Sequence, residues 1–225
     1  MLQLLETGID RSHDDPIVVD FLEAADAARA GEVWDWIKSA EQDLDLKKAG
    51  REPLLQMPSS PFPANCGYEL ARETRSRMGV SVDSKVNPEK AAGYLGLPEL
   101  QVRNRNSLPR QQVKAAIGWS GSSAPTVAGP FPGTLDSKRF WIARGLFLAA
   151  WGCDSGPRLV TEANTWHQQA SRAFAAELLA PQAALIADWG ASADDEDQSI
   201  SSLAVKFGVG TKVIIHQLEN AGVRF

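Results

Sequence analysis

Residues Ser137 to Trp151, SKRFWIARGLFLAAW, carry almost no polar face. Phe140, Ala143, Phe147, Ala150 and Trp151 recur at helical spacing, while Trp141, Ile142, Leu146 and Leu148 put apolar surface on the other sides. A helix of this kind has to be covered on most of its circumference, so the rest of the chain must be arranged around it. Gly145 within it costs about 1 kcal/mol relative to Ala, and Gly152 ends it. Its natural partner is HQQASRAFAAELLAP, His167 to Pro181, in which Ala170, Phe174, Leu178 and Leu179 repeat the apolar contacts and Pro181 stops the helix.

The other segments divide by pattern. With 225 residues the chain can build one substantial domain with an appended segment, or two small domains. Asp14 and Asp15 before Pro16 signal a helix start, and Val19, Leu22, Ala25 and Ala28 continue it to Ala30. Gly31 breaks that helix. A second follows over Glu32–Lys47, with Val33, Trp34, Ile37, Ala40 and Leu44 on one stripe. This helical N-terminal segment, residues 1–50, must bury its stripe on the main domain, on a second copy or on a partner. Four prolines between Gly50 and Gly67 mark a linker or a surface-hugging segment, and place a boundary over residues 51–63. Residues 64–225 form the main domain.

Within that domain Asn65 caps the helix GYELARETRSRMG, which stops at Gly79, and Asn87 before Pro88 starts the next helix. The period then changes. LPELQVRN holds a short strand, and Val113–Ser120 reads as a buried strand joined by Gly121-Ser122-Ser123 to a second one, APTVAG. A small antiparallel sheet closed by a hairpin results, and Thr134 or Asp136 caps the central helix behind it. Two further helices, one over about Ile200–Phe207 and one in KVIIHQLENAG, flank the turn GVG. The fold class is α+β.

Several chemistries are excluded or weakened. The formal net charge of −5 implies no broad basic field for nucleic acid. The pair of helices around GVG fits a helix-turn-helix pattern, yet its second helix offers only Lys212, with Arg224 beyond, and also contains Glu219. GWSGSS falls short of a nucleophile elbow, because the second Gly comes one residue early and the run sits in a hairpin. The acidic run Asp194–Asp197 reads as a solvated helix start rather than a cation loop. Cys66 and Cys153 lack ligand spacing and are expected to be reduced thiols. The first residues have no basic n-region with an apolar run, and no apolar stretch is long enough to span a bilayer. A cytoplasmic protein is expected.

The runs GYELAR, AAIGWS, KRFWIAR, FAAELLAP and LAVKFGVGTKVIIHQLENAG, taken in that order from Ala64 to Phe225, resemble the ImmA/IrrE family of metallo-endopeptidase domains. The resemblance implies a gluzincin-like fold, a small antiparallel or mixed sheet packed by helices, and a regulatory setting such as repressor, phage or toxin–antitoxin control. It also implies an H-E-x-x-H motif on the central helix, where two imidazoles hold zinc and the Glu polarises the bound water. Aligned without gaps from KRFWIAR, the two His positions fall on Arg144 and Leu148 and the Glu position on Gly145. The third ligand would lie shortly before Phe174, where QQASRA has no carboxylate. The chain is therefore expected to be a non-catalytic relative, holding no zinc or other cofactor, that binds a protein or peptide along the edge of its sheet. Trp119, Arg144, His167, Arg172 and Glu177 are the expected groove contacts. Arg144 is expected to meet Glu177 or Glu162, or the carboxylate of a ligand. The alternatives are an active zinc metallopeptidase with a relocated site, rebuilt from His167, His216 and a Glu, and a DNA-binding regulator using residues 200–222; a homodimer through the N-terminal helices is a further partner expectation, and of the three His the third is His13.

Overall fold

A computed structural model of the chain describes residues 15–24, 30–105, 113–121, 123–131, 134–189 and 196–224. His13, Asp14, Ala25, Ala28 and Asp194 lie outside the described residues. The fold is α+β. Its elements in chain order are α1 (Pro16–Ala24), α2 (Ala30–Leu44), β1 (Leu46–Lys47), α3 (Pro63–Met78), α4 (Pro88–Tyr94), β2 (Gln101–Asn104), β3 (Val113–Ser120), β4 (Ala124–Gly129), α5 (Leu135–Trp151), β5 (Arg158–Thr161), α6 (Trp166–Leu179), α7 (Gln182–Trp189), α8 (Glu196–Phe207) and α9 (Thr211–Asn220). Among the described residues no helix is long and apolar enough to cross a membrane.

The sheet is mixed. β3 runs antiparallel to β4 on one side and to both β1 and β5 on the other, and β2 adds to β4 in parallel. Both of its faces are buried. Ala115, Ile117 and Trp119 of β3 point into the main core with α5, whereas Val113 and Ala116 point into a second core with α1 and α2. Simple alternation would put Val113 with Ala115, not with Ala116. An irregularity in the pairing with β5 between Val113 and Ala115 reverses the parity.

The N-terminal stripe is thus buried on the main domain: Ile17, Phe21, Val33, Trp34 and Ile37 cover the back of the sheet, with the Phe21 and Trp34 rings 5.1 Å apart. Gly31 does not separate the two helices; it lies in the first turn of α2. The proline-rich stretch hugs the surface. Leu55 is buried and its carbonyl accepts a bond from Trp151 Nε1 at 2.9 Å, while Leu54 N donates to Leu95 O at 2.9 Å. Asn65 is not a cap, because α3 begins at Pro63 with Phe62 before it. Thr134 is the cap of α5, accepting from Ser137 N at 3.4 Å, and Asn87 caps α4. Asp136, the alternative cap, sits in the first turn of α5.

α5 runs through the middle of the core, and from Ile142 to Trp151 every residue is buried. One side lies against the sheet, the other against α6, where Phe147, Trp151 and Phe174 form an aromatic cluster with centroids 5.3–5.6 Å apart. Gly145 is what brings the helix down onto the sheet. A Cβ there would sit 2.5 Å from one Val127 methyl and 3.1 Å from Ile117 Cδ1. α3 closes on α6 by the same device, since a Cβ on Gly67 would collide with backbone atoms of Ala170 and Phe174. In most helix interiors Gly to Ala stabilises; Gly145→Ala is predicted to destabilise by about 1–3 kcal/mol through overpacking. Gly93→Ala, with nothing within 4 Å of its Cβ, is predicted to stabilise by up to about 1 kcal/mol. Urea denaturation of the two variants measures both signs.

Candidate functional site

β5 forms from RLVT, four buried residues that pair with β3 through one edge only. Its other edge faces α1 and α6, and no further strand covers it among the described residues. Buried backbone groups cannot stay unpaired without a cost of about 1–3 kcal/mol each. Side chains take the place of the strand. Asp20 Oδ2 accepts from Leu159 N at 3.0 Å. Gln168 Nε2 donates to Leu159 O at 2.6 Å, and its Oε1 accepts from Thr161 N at 3.0 Å. Arg144 NH2 donates to Thr161 O at 2.8 Å. The outer edge of β5, one of the sheet's edges to which a peptide strand could add, is therefore already occupied, along Leu159–Thr161, by the protein's own side chains.

These side chains also bind one another. Gln168 Oε1 accepts from Arg144 NH2 at 2.7 Å, and Nε2 reaches Asp20 Oδ1 at 3.3 Å. All four bonds of the carboxamide have partners that can play one role only, which fixes its orientation. Arg144 Nε donates to Ser171 Oγ at 3.1 Å, and Asp20 holds Arg158 in a two-point ion pair at 2.7 and 2.8 Å. Asp20, Thr161, Gln168 and Ser171 are fully buried, and Arg144 is 1% exposed.

Arg144 meets neither of its expected carboxylates. Glu177 is engaged by Arg72 Nε at 2.8 Å and by Gln182 N and Gln217 Nε2, while Glu162 pairs with Lys114 at 2.9 Å. Nor does Arg144 face solvent. Its guanidinium stacks 5.4 Å from the ring centroid of Trp141 and bonds only neutral oxygens. Burial, and then the charge of Arg172, push its pKa down to about 9, so it remains a cation near neutrality.

Next to this network lies a pocket of about 760 Å³, enclosed by α3, the first turns of α5, α6 and α9. Tyr68, Phe140, Trp141, Ala173, Ala176 and Val213 give it apolar walls. Tyr68 accepts from Asn220 and donates to Gln217 Oε1, both at 3.0 Å. Of the expected groove contacts only Arg172 lines the pocket. Trp119 is buried in the core with its Nε1 on Ala149 O at 3.1 Å. Glu177 is sealed beneath the α6–α7 junction, and Arg144 stacks on the pocket wall at Trp141 without lining the cavity. His167 opens α6 half-buried with its ring edge-on to Trp166, its pKa lowered by burial and then by Arg158.

The positions that the family resemblance assigns to zinc do not fit a metal. Arg144 is a donor with no lone pair to offer, Leu148 is buried with no polar atom, and Gly145 faces the sheet, where no acid has room. His216 stands exposed at the surface beside Glu219 at 3.0 Å. Among the described residues no group of three or more His, Cys, Asp or Glu is placed to hold a metal ion. In the pair α8 and α9, Leu203, Phe207, Val209, Ile214 and Leu218 are buried in the main core, and Lys212, Val213 and His216 of α9 line the pocket. No protein-family model matches the sequence, and no curated protein matches it.

Asp20, Arg158, Gln168 and Ser171 were not expected in the site. One signal was present: Asp20 shares the apolar side of α1 with Ile17, Phe21 and Ala24, where a carboxylate needs a buried partner. Gln168→Ala is predicted to cost at least about 3 kcal/mol, since it strands Thr161 N, Leu159 O and one arm of Arg144 together. Gln169→Ala, one residue on at the surface, is predicted to cost under about 0.5 kcal/mol. Chemical denaturation of the two variants separates a network from a merely polar helix start.

Proposed function

We propose that the chain is a non-catalytic, regulatory protein-binding module of the ImmA/IrrE type, and that its partner docks in the pocket between α3, α5, α6 and α9. One observation carries this reading. The face that α5 turns toward α6, where the resemblance places a zinc centre, holds a closed polar network built on Arg144 and Gln168. In that network Arg144 Nε and NH2 and both ends of the Gln168 carboxamide are engaged with one another, with Ser171 and with β5, and the central group is a guanidinium with no lone pair to offer a metal.

The pocket supports the binding half of the reading. Its volume is within the range of ligand sites, and its walls combine aromatic surface from Tyr68, Phe140 and Trp141 with charged groups, Asp136, Glu162, Arg172 and Lys212 among them. Strand addition at β5 is not part of the proposal, because Asp20, Gln168 and Arg144 hold that edge.

Two measurements test it. Purified protein incubated with casein and added zinc is expected to produce no cleavage that a chelator abolishes; chelator-sensitive cleavage would overturn the non-catalytic half. Peptides selected from a random display library against the whole protein are expected to lose binding by about a hundredfold or more to Ala176→Trp, which fills the pocket from the α6 wall. Peptides that bind Ala176→Trp as well as they bind the parent would place docking elsewhere.

A further inference from the structure

The walls of the pocket are helices that supply their side chains in regular rows. α9 lines it with Val213, His216, Gln217 and Asn220. α6 lines it with Gln169, Arg172, Ala173 and Ala176. Both rows step i, i+3, i+4, i+7, so each helix turns one continuous face to the cavity. The ten residues of α9 run for about 15 Å, which makes the cavity a groove along that helix.

A segment lying in such a groove has to satisfy its own backbone. The main-chain groups of the walls bond within their own helices, apart from the first turn of α9 after Gly210, which no side chain caps. The outer edge of β5, next in the chain to Glu162 of the pocket, is closed by Asp20, Gln168 and Arg144. An extended segment would leave its N–H and C=O groups without a row of partners, whereas a helix brings its own hydrogen bonds.

The charges of the wall come in both signs. Glu162 is taken up inside the protein: Lys114 binds it at 2.9 Å, and it favours the charge of Arg172, whose guanidinium donates to Ala163 O and Asn164 Oδ1. Asp136 on α5 and Lys212 on α9 remain. Neither side chain makes a hydrogen bond or ion pair with a described residue. An acid on one wall, a base on another and apolar surface from Phe140, Trp141 and Val213 match the pattern by which paired helices choose orientation, an apolar stripe flanked by opposite charges.

We propose that the partner segment is a single amphipathic helix, its apolar stripe packed on Ala173, Ala176 and Val213, with a basic side chain toward Asp136 and an acidic one toward Lys212. This rests on the protein-binding reading above and supplies the form and charge pattern of the partner.

Two displayed libraries of peptides of about 15 residues, panned against the whole protein, test it. One repeats apolar residues at i, i+3, i+4 and i+7; the other alternates apolar and polar residues; both vary Lys, Glu and Gln at the remaining positions. The helical library is expected to supply the tightest binders, and proline at a central, solvent-facing position is expected to weaken them about a hundredfold. Lys212→Glu, with unchanged circular dichroism, is expected to weaken them about threefold, and changing the facing acidic residue of the peptide to Lys is expected to restore the loss. Asp136→Asn provides a second variant, with an effect of about the same size. Equally tight binders from the alternating library, or helical binders that tolerate proline, would overturn the helix while their sensitivity to Ala176→Trp kept the docking site. Indifference to both Lys212→Glu and Asp136→Asn would overturn the charge pattern. No binder from either library, with peptides from the random library still sensitive to Ala176→Trp, would overturn this partner chemistry alone. Binders that Ala176→Trp leaves unchanged would overturn the docking site, and this inference with it.

Discussion

The carboxamide of Gln168 makes four hydrogen bonds at the point where α1, β5, α5 and α6 meet: to Leu159 O, Thr161 N, Arg144 and Asp20. It bridges Thr161 N and Leu159 O on the outer edge of β5, where a further strand would otherwise pair. This contact joins the first turn of α6 to the sheet, beside the pocket that α6 lines with Arg172, Ala173 and Ala176. Asp20 brings α1 to the same edge, which ties the N-terminal helices to the back of the sheet by a buried ion pair as well as by apolar packing. A buried pair of this sort is weak evidence for added stability but strong evidence for a fixed register, since breaking it leaves a charge without a partner.

Arg144 is tolerable in the core because three neutral oxygens and the face of Trp141 replace its water. Two other arginines follow the same rule. Arg139 donates to the carbonyls of Val86, Phe207 and Gly208, and Arg75 to those of Leu178, Ser81, Val82 and Ser84. In each case the guanidinium staples a turn whose carbonyls have no helix or strand to satisfy them. The core of this protein is thus held at three places by cations bound to backbone oxygens, and the Arg144 site lies behind the pocket wall at Trp141.

Much of the architecture was legible from residue pattern. The apolar helix α5, its partner α6, the hairpin β3–β4 and the strand in QVRN are where periodicity and the Gly121 turn place them. β1 and β5 escaped because two and four residues give too little period to read. α7 was missed because AALIADW follows Pro181 too closely to show a separate stripe. The site was less legible than the fold. A gap-free placement of a motif identifies Arg144, Gly145 and Leu148, yet says nothing of direction: Gly145 faces Val127 and Ile117, not a cleft. Glu177 and Glu162 were plausible partners by charge alone, and nearer cations, Arg72 and Lys114, took them. Gln168 and Ser171 looked like an ordinary polar helix start, since one strand's unmet edge is invisible until the strand itself is known.

A double-mutant cycle between Arg144 and Asp20 probes the network most directly, because Gln168 hydrogen-bonds to both and their opposite charges act on each other across it. Arg144→Met, Asp20→Asn and the double variant would be compared by urea denaturation at one pH. The account predicts that the double variant loses less than the sum of the singles, with a coupling of about 1 kcal/mol or more. Losses that add to within about 0.5 kcal/mol would mean that Arg144 and Asp20 are independent, and that no continuous network closes the edge of β5.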